Sequence, residues 1–202
     1  KYQESGVIAP LAGIWEGEKG DDVAPSDDRG TETNKYRERI TFEPLGPVNN
    51  HEQDLYGLRY STTAWRIGVE SPFHEELGSG FGHERKAGSP VLHGPRGVTI
   101  TAGGTVEPNA KNFELVANIG SDTYGICSNK FLDKQFKTVR YELKVTVNGD
   151  SSFCYEEDTP LQIPNQKNLF HHTDKNTLRK VDKPISPNSL ANRSLGVHGE
   201  GG

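Results

Sequence analysis

Two adjacent histidines, His171 and His172, are the residues of this sequence best suited to carry chemistry. They stand at the start of a segment, residues 170–181, that we expect to be the last strand of the domain. Imidazole is the commonest protein ligand for metals, and its charge changes near neutral pH. Neighbouring side chains of a strand point to opposite faces, so only one of the two rings can face a cavity. The alternative is a polar pair that is solvated or bonded to backbone, and these residues alone leave both open.

The composition indicates a turn-rich β protein rather than a helical bundle. The chain has 202 residues, of which 32% are hydrophobic, and it contains 23 Gly and 12 Pro. The net charge of −5 and the lack of a Lys/Arg-rich run argue against nucleic-acid binding. No apolar run reaches membrane-spanning length. The two cysteines, Cys127 and Cys154, form no disulfide framework, which fits a reducing cytoplasm, although a disulfide between them stays open.

Alternating polarity predicts a series of antiparallel strands. In residues 35–44, Tyr36, Ile40 and Phe42 share one face with Glu38, as in a half-buried strand. Asn148-Gly149 is a strong hairpin signal between strands expected at 138–147 and 152–161. Further strands are expected at 54–66, 72–81, 91–93, 97–105 and 113–118.

About ten such strands predict an all-β fold, an antiparallel up-and-down β-barrel of the lipocalin or fatty-acid-binding-protein type. A barrel of this kind encloses a cavity able to hold one small ligand. The expected organisation is an N-terminal arm at 1–10, the ligand-binding barrel at 11–181, and an extended or disordered tail at 182–202.

Glycine-rich, polar and acidic segments stand out from this alternating pattern. Gly13, Gly17 and Gly20 flank Trp15, which we expect to be buried, and a glycine within a strand marks a bulge or a close approach of another group. Residues 21–34 and 124–130 are expected to be loops. Glu75 and Glu76 should face apart as strand neighbours, and the acidic run 156–158 is expected to be a solvated strand end.

Four segments in this order, together with the histidine pair, resemble the nitrobindins, haem-binding β-barrels that include the C-terminal domain of a human THAP-type protein. The segments are residues 13–20 (GIWEGEKG), 36–46 (YRERITFEPLG), 73–78 (FHEELG) and 96–105 (RGVTITAGGT). The resemblance spans roughly residues 8–181. The sequence departs from the family's G-x-W-x-G-x-G motif at Lys19, where the family has glycine, and Gly20 follows one place later.

The resemblance implies a five-coordinate ferric haem b held by one imidazole near the barrel mouth. It assigns the iron ligand to His172, with His171 as the alternative, and places His74 on the open side of the iron. Ser26 would contact the haem and Lys130 would pair with a propionate. It also implies isomerisation of peroxynitrite to nitrate and reversible binding of nitric oxide. We expect a monomer or a homodimer, and the sequence does not decide between them.

Three interpretations therefore stand beside one another. The first is a haem protein acting on peroxynitrite or nitric oxide, in which Arg96 helps to attract an anion or to hold propionates. The second is a non-catalytic carrier of a fatty acid or another apolar small molecule. The third is an interaction module that depends on the polar tail. His74 has its own alternative, as an ordinary strand histidine bonded to Glu76 or to a backbone carbonyl.

Overall fold

The computed structural model of the chain describes residues 3–51, 53–82, 91–93, 96–107, 109–149 and 151–182. It begins with a 3-10 helix, Gln3–Leu11, and contains one short α-helix, α1 (Lys130–Gln135). The strands, in chain order, are β1 (Gly13–Pro25), β2 (Thr31–Asn50), β3 (Gln53–Arg66), β4 (His74–Gly82), β5 (Val91–His93), β6 (Val98–Thr101), β7 (Asn112–Asn118), β8 (Ile126–Ser128), β9 (Lys137–Thr138), β10 (Arg140–Val147), β11 (Ser152–Gln162) and β12 (Phe170–Asp182).

All twelve strands belong to one antiparallel sheet that curls around a single core. Its order is β7-β10-β11-β12-β1-β2-β3-β4-β5-β6-β8, and β9 pairs with β11. Among the described residues, no continuous ladder joins the two ends of the sheet, but an isolated bridge connects Gly103, just after β6, to Val116 of β7. The prediction of an all-β, lipocalin-like barrel is confirmed, with the difference that the barrel is not closed by a ladder. The strands beyond the expected ten are the short β8 and β9.

The alternation read from the sequence of β2 matches its structure. Tyr36, Glu38 and Ile40 are all buried, and the residues between them lie on the outer face. The hairpin between β10 and β11 also forms where Asn148-Gly149 predicts it, and Gly149 takes the positive φ of 71° that suits glycine.

Two expected loops are largely regular structure. β1 runs to Pro25 and β2 begins at Thr31, so the turn covers only residues 26–30 of the polar segment expected to be a loop. The polar residues of that segment do not mark a loop, because its strands lie at the rim of the barrel, where most side chains reach water. Residues 124–130 contain β8 and the start of α1, whose N-cap is Asn129.

The N-terminal segment differs from the separate arm that was expected. Pro10 lies within the 3-10 helix, and Val7 and Leu11 of this helix are buried in the core. The helix packs against β3 and β4 at the end of the barrel where β1 begins. α1 lies at the opposite end, where Phe136, just after the helix, stacks beneath the guanidinium of Arg29 in the β1–β2 turn. The expected tail lies, beyond Asp182, outside the described residues.

Trp15 is the centre of the apolar core. Its side chain is fully buried, and its ring meets Phe153 edge-on at a centroid distance of 5.0 Å. Its indole Nε1 donates a hydrogen bond of 2.6 Å to the carbonyl of Leu11, which ties the N-terminal helix to β1. The described helices include none that is both long and apolar enough to span a membrane. Cys127 and Cys154 are both free, so the open question of a disulfide between them is answered.

Replacing Trp15 by Ala should destabilise the fold by about 3 to 5 kcal/mol, because the change leaves a cavity and removes a buried hydrogen bond. Trp65 is the matched control, since it lies on the outer face of β3 with the guanidinium of Arg37 4.4 Å from its ring centroid. Its replacement by Ala should cost about 1 kcal/mol. Urea unfolding curves of both variants measure this, and equal losses would contradict the burial described here.

Candidate functional site

The interior of the barrel contains a cavity of about 360 Å³, within the range of small-molecule pockets. Its deep part is apolar, with side chains that include Leu58, Ile100, Phe113 and Leu115. Its mouth lies at the α1 end and combines apolar walls with ionisable groups. The apolar groups there are Ala24, Pro25, Phe73, Leu132 and Phe136.

The two adjacent histidines lie on opposite faces of β12. His172 lines the cavity and its side chain is 34% exposed, whereas the side chain of His171 is 60% exposed on the outer face. Nδ1 of His171 lies 2.8 Å from Oδ2 of Asp158 and takes no part in the cavity. Of the two rings that the sequence left open, His172 is therefore the one available to a bound ligand.

The pairing of β12 with both of its neighbours fixes this orientation. His172 pairs with Thr159 of β11, and the next residue, Thr173, pairs with Val23 of β1. Asn176 and Leu178 share the inward face of His172 and are almost fully buried. A shift of the strand register by one residue would expose the side chains of Asn176 and Leu178. The packing of this part of β12 therefore determines which imidazole faces the cavity.

Two carboxylates flank the inner imidazole. Nε2 of His172 lies 3.1 Å from Oδ1 of Asp22 and 3.4 Å from Oδ2 of Asp174. Among the described residues, these three form the one group of His, Cys, Asp and Glu side chains with ligand atoms close enough to hold a metal ion. Asp22 was not predicted from the sequence because it lies in the segment expected to be a loop, and no local pattern pairs it with a histidine 150 residues away.

The surroundings of the two mouth histidines favour different charges. Burial works to lower the pKa of His172, but the hydrogen bond with Asp22 and the charges of Asp174 and Asp22 outweigh it, so the net pKa is raised. The pKa of His74 is lowered, first by burial and then by the positive charge of His172. Near neutral pH the site thus favours a neutral His74 opposite a His172 that holds its proton more strongly.

His74 lies at the mouth of the cavity, as expected for a residue that faces a bound ligand. It lines the cavity, with its ring centroid 6.5 Å from that of Phe73. Its Nε2 is 3.9 Å from Oε2 of Glu76, which is too long for a hydrogen bond. His74 and Glu76 therefore lie within ion-pair distance of each other without forming a hydrogen bond.

A buried network of acids and phenols lies below the mouth. Glu38 accepts hydrogen bonds from Asn176 at 2.8 Å and from the Tyr155 hydroxyl at 2.9 Å. The Tyr155 and Tyr36 hydroxyls are 2.7 Å apart. Burial raises the pKa of Glu38 to about 7, although these hydrogen bonds act in the opposite direction.

Two glycines of β1 make room for this network. A Cβ atom on Gly17 would clash with the amide of Asn176, and one on Gly20 would clash with the ring of Tyr36. This is the close approach that the glycines around Trp15 predicted.

Two further carboxyl groups face the cavity. The Tyr141 hydroxyl donates to Oε2 of Glu157 at 3.1 Å. Burial raises the pKa of Glu157, and it raises that of Glu76 to about 8 with help from the charge of Glu157. The expectation that residues 156–158 form a solvated strand end was wrong for Glu157, which faces inward by strand alternation. The expectation that Glu75 and Glu76 face apart is confirmed, since Glu75 is exposed.

The other residues suggested by the resemblance lie near the mouth without all lining it. Ser26 and Lys130 are not among the described residues that line the cavity. The Ser26 hydroxyl donates to Oδ1 of Asp28 at 2.6 Å within the β1–β2 turn, and Lys130 is exposed at the start of α1. Arg96 does line the cavity, and its carbonyl accepts a 2.6 Å hydrogen bond from the side chain of Asn129.

Comparison with known proteins identifies a family and a similar fold. The model of the THAP4-like, heme-binding beta-barrel domain family matches residues 4–180. The fold is similar to that of the crystal structure of Rv2717c from M. tuberculosis, with a TM-score of 0.64 and 20% sequence identity over 86% of this chain and 94% of that one. No curated protein matches the sequence at a significant level.

The raised pKa values in the cavity should make the fold less stable as the pH rises. The folded state holds protons on Glu38 and Glu76 that the unfolded chain releases near the ordinary pKa of 4.5. The free energy of unfolding should therefore fall as the pH rises from 4.5 to about 8. Glu76→Gln should reduce the slope of the unfolding free energy against pH by up to roughly 1.4 kcal/mol per pH unit. Urea unfolding at several pH values measures it.

Glu75→Gln is the matched control, because this neighbour is exposed on the outer face of β4. Its pH dependence should follow that of the unchanged protein. A Glu76→Gln variant with an unchanged slope would show that Glu76 does not titrate inside the cavity.

Proposed function

Because the chain belongs to the family of THAP4-like, heme-binding β-barrel domains, we propose that it holds haem b with His172 as the axial ligand and acts there on peroxynitrite or nitric oxide. The observation that carries this proposal is the position of His172, which lines the cavity at its mouth with Asp22 beside its ring. A small-molecule ligand in the barrel follows from membership of the family. A cytoplasmic location, and a monomeric or homodimeric state, stay predictions.

The residues at the mouth fit a haem group. A ligating histidine needs an acceptor for its second ring nitrogen, and Asp22 is close enough to be that acceptor. The walls at this end are apolar, with Phe73 and Phe136 among them, as a flat hydrophobic macrocycle requires. Arg96 supplies a positive charge at the rim, where propionates would reach solvent.

Haem bound at His172 would supply an iron with one position open to an incoming anion or to nitric oxide. The residues of the chain would then hold and orient the reactants. Arg96 would attract an anion to the mouth. The apolar walls would exclude water from the reacting atoms.

His74 is the residue that we propose to act on the bound anion. Its lowered pKa keeps the ring neutral near pH 7, so it can donate one N–H to an anion oxygen while its other nitrogen accepts a proton. Ser26 and Lys130 keep the roles that the resemblance implies only as proposals. Arg96 lines the cavity and Lys130 does not, so Arg96 is the better supported partner for a propionate.

A non-catalytic carrier of an apolar molecule is the second candidate. The apolar deep part of the cavity, with Leu58, Ile100 and Phe113, supports it. The carboxyl groups of Glu38 and Glu157 in the same interior oppose it, because an alkyl chain would leave them without solvent. Native mass spectrometry of the purified protein separates the two, since a carrier would contain lipid and no iron. The tail that an interaction module would need lies outside the described residues.

The direct test of haem binding compares the two adjacent histidines. Titration of the haem-free protein with ferric haem should shift and sharpen the Soret band of free haem. Loss of a residue that only hydrogen-bonds to a metal ligand weakens metal binding by roughly 10- to 100-fold. His172→Ala removes the proposed ligand itself, so it should weaken haem binding by more than that. His171→Ala is the matched control on the same strand, and its affinity should stay within a factor of about 3 of the unchanged protein, because its ring contacts Asp158 outside the barrel.

A Soret shift lost with His171→Ala and kept with His172→Ala would contradict the assignment of the ligand. The absence of any haem binding by the unchanged protein would contradict the proposed function itself.

His74→Ala should leave the Soret band in place and slow the conversion of peroxynitrite by roughly 100-fold, because it removes the proton donor at the open face. Stopped-flow absorbance of peroxynitrite decay measures this with the haem-loaded protein. Glu75→Ala is the control next to it, on the outer face of β4. Equal rates for His74→Ala and the unchanged protein would leave His74 without a catalytic role.

A further inference from the structure

Asp22 is the most deeply buried charged group at the mouth of the cavity. Its side chain is 4% exposed, compared with 23% for Asp174, the other carboxylate beside His172. It is also the closer of the two to the imidazole, at 3.1 Å against 3.4 Å. One ring N–H can be fully shared with only one acceptor, and distance and burial both favour Asp22.

A second set of bonds holds the Asp22 carboxylate in place. Its Oδ2 accepts a hydrogen bond of 2.8 Å from Nδ2 of Asn34, which lies opposite Asp22 in the β1–β2 ladder. The same amide donates to Oε1 of Glu32 at 3.1 Å, and Glu32 is in turn paired with Arg66 at 3.0 Å. The carboxylate thus has one oxygen fixed by Asn34 and the other directed at His172, which leaves it little freedom to turn.

A bulge in β1 is what aims Asp22 inward. Between Gly17 and Gly20 the strand has one more residue than the facing part of β2, where the partners are Glu38 and Tyr36. Such an extra residue reverses which positions of the strand face inward. Before the bulge the inward residues include Trp15 and Gly17, and after it they include Gly20 and Asp22. If the alternation ran unbroken from Gly17 through the same residues, the outward neighbour Asp21 would occupy the inner face instead.

We propose that Asp22 is a positioning residue that holds the His172 ring through Nε2 and thereby lowers the reduction potential of iron bound to that ring. The inference rests on the proposed function, because it concerns haem held by His172. A carboxylate that accepts the imidazole N–H makes the ligating nitrogen more basic, and a more basic ligand stabilises ferric over ferrous iron.

Asp22→Asn tests this with little change of shape, since the amide keeps an acceptor oxygen and removes the charge. The ratio of ferric to ferrous haem affinity should fall about tenfold, which corresponds to a rise in reduction potential of about 59 mV for one electron. Spectroelectrochemical titration of the haem-loaded protein measures the potential. A role limited to packing would leave that potential unchanged.

Asp21→Asn is the matched control, because Asp21 is the adjacent residue and pairs with Lys35 away from His172. Its potential should equal that of the unchanged protein. Asp22→Glu keeps the carboxylate and should return most of the potential towards the original value. Asp22→Ser repeats the loss of charge with a smaller side chain and serves if Asp22→Asn does not fold.

The outcomes separate this inference from the proposed function. Haem binding by all variants, with a raised potential only in Asp22→Asn and Asp22→Ser, supports the inference. Haem binding by all variants with equal potentials overturns it and leaves the proposed function intact. No haem binding by the unchanged protein overturns the proposed function, and the inference falls with it.

Discussion

The register of β12 between β11 and β1 is the constraint on which the site depends. Two hydrogen-bonded ladders hold this strand, and Asn176 and Leu178 anchor its inward face in the core. Because side chains alternate, the same packing that buries Leu178 turns His172 to the cavity and His171 to water. The choice between two chemically identical rings is therefore made by apolar burial six residues further along the strand, and no interaction of the imidazoles themselves is needed.

The β1 bulge works in combination with that register. Asp22 pairs with Asp174 and both face the cavity, because the bulge between Gly17 and Gly20 brings Asp22 rather than Asp21 opposite Asp174. The glycines also leave room for Tyr36 and Asn176, so one irregular stretch shapes the mouth and the acid–phenol network beneath it. The carboxyl groups of that network are costly to bury in charged form, which is why their pKa values are raised. The protons that these groups hold in the folded state are the reason that the stability of the barrel should fall as the pH rises.

Much of the fold was predictable from the sequence, because the alternation around Ile40 and the Asn148-Gly149 turn are local signals. The four motif segments and the histidine pair also led to the family that the comparison then matched. The partner of His172 was not predictable, since Asp22 is distant in the chain and its inward position depends on a bulge that changes the alternation. Glu157 was missed for a related reason, because a run of three acidic residues suggests solvent although strand geometry turns the middle one inward.

The central claim is that the ring of His172, backed by Asp22, is the group that holds iron at the mouth of this barrel. A crystal structure of the chain after loading with ferric haem tests it most directly. The account predicts electron density for iron bonded to a nitrogen of His172, with the other ring nitrogen against the Asp22 carboxylate and His171 still paired with Asp158 outside. Iron bonded to His171 or to His74, or a haem lying outside the cavity, would contradict it.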